Sequence, residues 1–366
     1  MYHCTPVSPS PHGRFEPRYL IMLPALTARL RHAPLARILA AAALSAALAG
    51  CNFFPGEEEA VDPSEAERTA IVTGSFSAPG GARDLAFLPD AESPGNGLLA
   101  AASLQGGISV FNIDGQEVIS GAGPRLNGLA GTGGFPLRGE TLPMIFAMDE
   151  NGALRAFVVV RAVDDVIELP LEGDMPGGAS LCLFGEGIGY VDLAILGDGE
   201  EARIVRVSDA GGDGLQVRQR ETRALPFPAR SCAAAADGDL LIGGPTAGLA
   251  RVSANGDLRA STDRLPGSNV AYSELLGRPV AMMVSPDTGL MQVLDARSLE
   301  LIATVRFDAG LGAPGFNEPS ALAVTDANFG GGAFASGIAA AYDRGDGSLK
   351  LIAREVITRT VLTDES

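Results

Sequence analysis

The three histidines of this 366-residue chain, His3, His12 and His32, all precede residue 33, and its single lysine is Lys350. Beyond residue 51 there is therefore no imidazole for a Ser-His-Asp relay or for a zinc or iron site. Chemistry in that region falls to carboxylates, arginines, hydroxyls and backbone. Arg161, taken by itself, reads as one half of an inter-strand ion pair. Asp343 and Asp346 in "DRGDGS" have a spacing able to wrap calcium, although aspartate-glycine pairs are first of all hairpin turn residues. "DAGGDG" at 209–214 is a weaker instance of the same pattern. The many Gly-Gly pairs do not stand between a strand and a helix, so phosphate-cradling loops are not indicated.

What positions such residues begins after a leader. Arg29, Arg31 and Arg37 precede the apolar run "ILAAAALSAAL" from Ile38, which ends in "LAGC" at Leu48 to Cys51. A basic region, a short apolar region and small residues before a cut describe a secretory signal, too short to span a bilayer. "LAGC" resembles the bacterial lipobox, which implies lipidation of Cys51 and places residues 1–51 in a signal peptide. Met22 offers a more compact start. Asn52 is not the aspartate that resembles an inner-membrane retention signal, so the expected location is the periplasmic face of the outer membrane. Residues 52–67, "NFFPGEEEAVDPSEAE", are acidic and read as a solvated tether. The formal charge is −17, and the leader carries five arginines against Glu16, which leaves the remainder near −21. No basic stripe exists to neutralise phosphates, so nucleic acid is not an expected partner.

Residues 68–366 repeat short apolar runs: "LLAAAS" at 98, "AFVVV" at 156, "VDLAI" at 191, "LLIGG" at 240, "VAMMV" at 280 and "GIAAA" at 337. Each is followed, after a turn, by a second run, from "ISVFNI" to "SLKLIA". Six copies at irregular spacing near 40 to 50 residues predict an all-β fold, a six-bladed β-propeller of four-stranded blades. Turn residues punctuate the runs at Asp114-Gly115, Asp237-Gly238, Asn255-Gly256, Asp287 with Gly289, and Asp343 to Ser348. The small residues suggest strands crowded near the axis, and the ring is expected to close against "AIVTGSF" at 70–76. A parallel α/β fold would need amphipathic helices between the strands, and almost none are found.

The segments "RDLAFLPD" (83–90), "LLAAASLQGGISVFNIDGQEV" (98–118), "PRLNGLAG" (124–131), "SLCLFG" (180–185), "RSCAAAADGDLLIGG" (230–244) and "GIAAAYDRGDGSLKLIARE" (337–355) resemble, in this order, the β-propeller phytases. These are calcium-dependent six-bladed enzymes that hydrolyse inositol hexakisphosphate. The resemblance implies calcium as cofactor, Asp84 and Asp343 as metal ligands, and Arg161, Lys350 and Asn127 as phosphate ligands. It is broken at several places. "NGLAGT" keeps Asn127 but has Ala130 and Thr132 where the family has aspartate and arginine, Phe184 replaces a tyrosine, and Arg230 replaces a glutamate.

Cys182 and Cys232 fall in segments that resemble paired family cysteines and, with Cys4 in the leader and Cys51 lipidated, are the pair left in an oxidising compartment. The resemblance implies a disulfide between neighbouring blades; two buried thiols are the other reading. The expectation is thus a lipid-anchored envelope protein with a degenerate phytase-like propeller. Its partners would be the membrane, through the anchor, and an envelope protein or a small anionic ligand. Its role would be binding or scaffolding; the alternative is a calcium-dependent phosphomonoesterase of the 3-phytase type.

Overall fold

Each turn pair named above lies between two antiparallel strands. Asp114-Gly115 joins Ile108–Asn112 to Glu117–Gly121, with Gly115 at φ 85, a backbone region where a side chain is strained. The computed structural model describes residues 67–264, 269–310 and 312–362. The signal peptide, Met22, Cys51 and all of the tether except Glu67 lie outside the described residues.

The strands form six sheets, antiparallel except where Glu67–Ile71 and Leu171–Gly173 each add a parallel edge strand to one of them, taken here as blades 1 to 6 in chain order. Blade 1 covers 84–121, blade 2 126–169, blade 3 180–224, blade 4 231–262, blade 5 271–308 and blade 6 319–353. The innermost strands are Asp84–Leu88, Leu126–Leu137, Ser180–Gly187, Ser231–Ala234, Ala271–Leu275 and Pro319–Thr325. The protein is an all-β, six-bladed propeller.

Closure uses the start of the described chain. Gly74–Ser77 is the outermost strand of blade 6, antiparallel to Ser348–Ala353 with Gly74 opposite Leu351. Glu67–Ile71 runs parallel to Leu301–Asp308 as a fifth strand of blade 5. The sequence placed this closing segment correctly. It did not foresee the helix Arg354–Leu362, whose buried Ile357 and Val361 pack against blades 5 and 6. Arg68 donates to the carbonyls of Thr360 and Val361 at 3.0 and 2.8 Å, which satisfies oxygens that a helix end leaves without partners.

The apolar runs proved to be second strands rather than the strands at the axis. "LLAAA", "VDLAI", "LLIGG", "VAMMV" and "IAAA" each pair with an inner strand on one side and an outer strand on the other. "AFVVV" of blade 2 is a third strand, since Glu140–Asp149, which the apolar-run pattern passed over, takes the second place. Second strands are covered on both faces by neighbouring blades, so they lose alternation and read as continuous apolar runs. Ala100 to Ala102 and Ala339 to Ala341 are fully buried there.

The core is divided accordingly. Six apolar clusters each lie between two adjacent blades, for example Phe135, Met144 and Phe146 of blade 2 against Leu193, Ile195 and Val205 of blade 3. Each such side chain contributes about 1.5–3 kcal/mol of transfer free energy. The axis is left to the innermost strands.

Candidate functional site

An axial channel of about 480 Å³ is lined by residues of all six innermost strands or of the turns that flank them. Its walls are mainly small and apolar, including Ala86, Ala130, Ala233 and Ala323. Asp84, Ser180, Ser231 and Asn269 lie toward the N-terminal ends of these strands, and Pro89, Glu186 and Asp326 toward the C-terminal ends. Among the described residues three carboxylates line it, and no arginine or lysine does.

Asp84 is buried and ties three blades together. Its Oδ2 accepts the Leu129 N–H of blade 2 at 2.6 Å, and its Oδ1 accepts its neighbour Leu85 N–H at 2.8 Å. Asn269, at the start of blade 5, donates its side-chain amide to the same Oδ1. Burial raises the Asp84 carboxyl from 3.8 to about 7, against the lowering effect of the Leu129 and Leu85 amides. Asp326 accepts the Ser273 hydroxyl and pairs with Arg354 at 3.4 Å. The Tyr272 hydroxyl donates to Glu274 at 3.0 Å, and burial together with that bond pushes the phenol above its ordinary range. The Glu186 carboxylate, on an exposed residue, has no hydrogen bond or ion pair among the described residues.

The inner wall also carries the disulfide. Cys182 and Cys232 are bonded, which joins the innermost strands of blades 3 and 4. Their Cα atoms are 5.7 Å apart and both are more than nine-tenths buried.

The other residues singled out from sequence lie apart from the channel and largely from one another. Asn127 is at the N-terminal end of blade 2, where it accepts from Arg83 at 3.1 Å. It lines a separate polar groove of about 450 Å³ with Glu150, Asn151, Asp198 and Arg230, in which Arg230 stands 3.7 Å from Asp198. Arg161 follows the third strand of blade 2, on the ring's opposite face. The pairings Phe135 to Leu142 and Met144 to Val158 put it about seven residues along from Asn127, roughly 25 Å at the strand rise. There it donates to the Asn96 carbonyl and faces Asp90 at 4.0 Å, the arrangement of an ordinary surface ion pair.

Asp343 is fully buried at the hairpin between the second and third strands of blade 6. It accepts the N–H groups of Asn317 at 2.6 Å, and of Glu318 and Gly345 at 2.9 Å each. "DRGDGS" is thus a hairpin turn whose first aspartate holds the incoming chain. Asp346 in the same turn takes the ammonium of Lys350, whose side chain is fully buried. Burial pulls the Asp346 carboxyl upward, but the hydrogen bonds from Lys350 and Ser348 outweigh it and hold the group below its usual range. Phe184 stacks against the guanidinium of Arg223 at 4.7 Å.

These placements bear on calcium. A calcium ion takes six to eight oxygen ligands. The N–H groups around Asp84 and Asp343 point their positive ends at the carboxylate oxygens that would be needed. Among the described residues no three His, Cys, Asp or Glu side chains converge as a metal site. The residues present do not fit a multi-calcium centre.

Asn269, Tyr272, Glu186 and Asp326 went unnoticed in the sequence. None stands in a motif, and each matters because a strand end delivers it to the axis. Identifying the innermost strands correctly would have been the only signal.

No protein-family model matches the chain, and no curated protein does. Solved structures with a similar backbone include an auxiliary nutrient binding protein from Bacteroides thetaiotaomicron (TM-score 0.48, 10% identity, 74% of this chain and 68% of that one). Others are the Cps50 (Swd1) β-propeller domain of Myceliophteria thermophila (0.46, 10%, 78% and 99%) and BBS1N in complex with ARL6DN (0.47, 11%, 78% and 97%). The fold rests on this chain's own strand pairing.

Proposed function

We propose that this protein is a lipid-anchored component of a bacterial envelope whose phytase-like propeller serves as a binding module, with the axial channel as its site. The observation that carries this reading is the charge of the channel lining: among the described residues, carboxylates and small apolar side chains with no cationic residue. Phosphoryl transfer by the phytase route needs clustered carboxylates around several cations and positive clamps on the phosphoryl group. Here Asp84 and Asn127 lie at adjacent strand starts, Asp343 and Lys350 share a hairpin and Arg161 is on the opposite face, and each candidate acid or cation is already engaged within the fold. A degenerate family member that has kept the ring and lost the reaction accounts for both.

The test is hydrolysis of phytate by the purified chain with calcium present. The binding reading expects phosphate release no faster than in the protein-free control. Calcium-dependent release well above that control would restore the phosphomonoesterase reading. The leader and lipobox motif support the envelope assignment, which globomycin-sensitive processing and a mass increase at Cys51 would check.

A further inference from the structure

We propose that the axial channel takes a small organic cation, an ammonium group on an apolar body. This rests on the reading of the channel as a binding site and adds the class of ligand.

The channel's charge census points one way. Asp84, Glu186 and Asp326 line it, and among the described residues no lysine, arginine or histidine does. Anions such as phosphate or a carboxylate would meet repulsion with no donor cation to offset it. Asp326 is already balanced by Arg354 and burial raises the Asp84 carboxyl to about 7, so at neutral pH the negative charge free to act on a ligand lies first with Glu186.

The class of cation follows from the walls. A bare divalent ion needs several converging oxygens, and no such convergence exists among the described residues. An organic ammonium needs less: one or two carboxylates, an aromatic face, and apolar surface for its body. Tyr272 contributes a ring to the lining beside the alanines, leucines and valines of the inner strands. Glu186 lies toward the C-terminal ends of the strands without a partner among the described residues, open to engage a ligand. Asp84 lies toward the N-terminal ends, with three N–H donors on a carboxylate able to accept about four bonds. The volume, about 480 Å³, admits choline or putrescine with space left for a larger apolar body.

The experiment is isothermal titration calorimetry of the full chain, purified in detergent, with four probes: choline, putrescine, 3,3-dimethylbutanol as the uncharged isostere of choline, and inorganic phosphate. The inference expects choline or putrescine to bind about tenfold or more tightly than dimethylbutanol, with no heat from phosphate. Glu186→Gln should weaken cation binding about fivefold with an unchanged melting temperature, since that side chain holds nothing in the fold. Tyr272→Leu, which also removes the bond to Glu274, should likewise weaken choline binding about fivefold. If dimethylbutanol binds as well as choline, the inference falls and the binding module stands. Preference for phosphate overturns the inference, as does cation binding indifferent to Glu186→Gln and Tyr272→Leu. If none of the probes binds, the ligand class is wrong and the channel's role as a site for small polar molecules falls with it.

Discussion

Replacing Asp84 by asparagine should change how stability depends on pH. Burial pushes the native carboxyl up to about 7 from the ordinary 3.8, because it disfavours the charge more than two backbone amides favour it. The folded protein thus holds a proton over a range where the unfolded chain has released it, and the unfolded state binds fewer protons. Stability contributed by this group is full below the unfolded value and is lost as pH rises through the folded one. At about 1.4 kcal/mol per pKa unit the full loss is about 4 kcal/mol, of which about 2.5 kcal/mol falls between pH 5 and 8. Asparagine carries no charge at either pH, so it removes this dependence. It also turns an amide NH₂ toward one of the three donors, at a cost of about 1–3 kcal/mol that does not vary with pH. Urea unfolding followed by far-ultraviolet circular dichroism, at several pH values on both proteins, isolates the term as a difference. Relative to Asp84→Asn, the native protein should lose about 2.5 kcal/mol on going from about pH 5 to pH 8. Parallel pH profiles, or a relative gain with pH, would refute the account of Asp84 as a carboxyl dominated by desolvation.

Other outcomes follow from the same structure. Reducing the Cys182–Cys232 disulfide, which closes a loop with a sequence separation of 50, should lower stability by about 4 kcal/mol on the chain-entropy model, read from denaturant midpoints with and without reductant. Asp346→Ala strands the buried ammonium of Lys350 and should cost about 3 kcal/mol, whereas Lys350→Met should stay within about 1 kcal/mol of the native protein. Equal effects of the two would contradict the asymmetry in their exposure. Deleting residues up to Ser77 removes the outer strand of blade 6 and the fifth strand of blade 5, and cooperative thermal unfolding should disappear.

The ring was legible because its punctuation is local. Asp114-Gly115, Asp237-Gly238 and Asn255-Gly256 fix hairpins by their own backbone preferences, so repeat count and all-β class follow from short windows. Depth within the blade was not legible in the same way. "LLAAA" and "DLAFL" are both wholly buried strands, and only the pairing decides which one faces the axis. That ambiguity hid Glu140–Asp149, shifted blade 2 by one strand, and obscured Glu186 and Tyr272. The candidate ligands suffered from a related limit. Asp84, Asn127, Arg161, Asp343 and Lys350 hold positions that resemble a family's ligands, but resemblance in order says nothing about which groups already have partners. Asp343 shows this best, since its three backbone donors come from Asn317, Glu318 and Gly345, two of them on a segment more than twenty residues away in sequence.

That the would-be phosphate and calcium ligands are already engaged within the fold is tested most directly by calorimetric titration of calcium into the full chain at neutral pH. The account predicts no saturable heat at sub-millimolar calcium. Several ions bound per chain with micromolar affinity would mean that the carboxylates assemble in solution, and would contradict it.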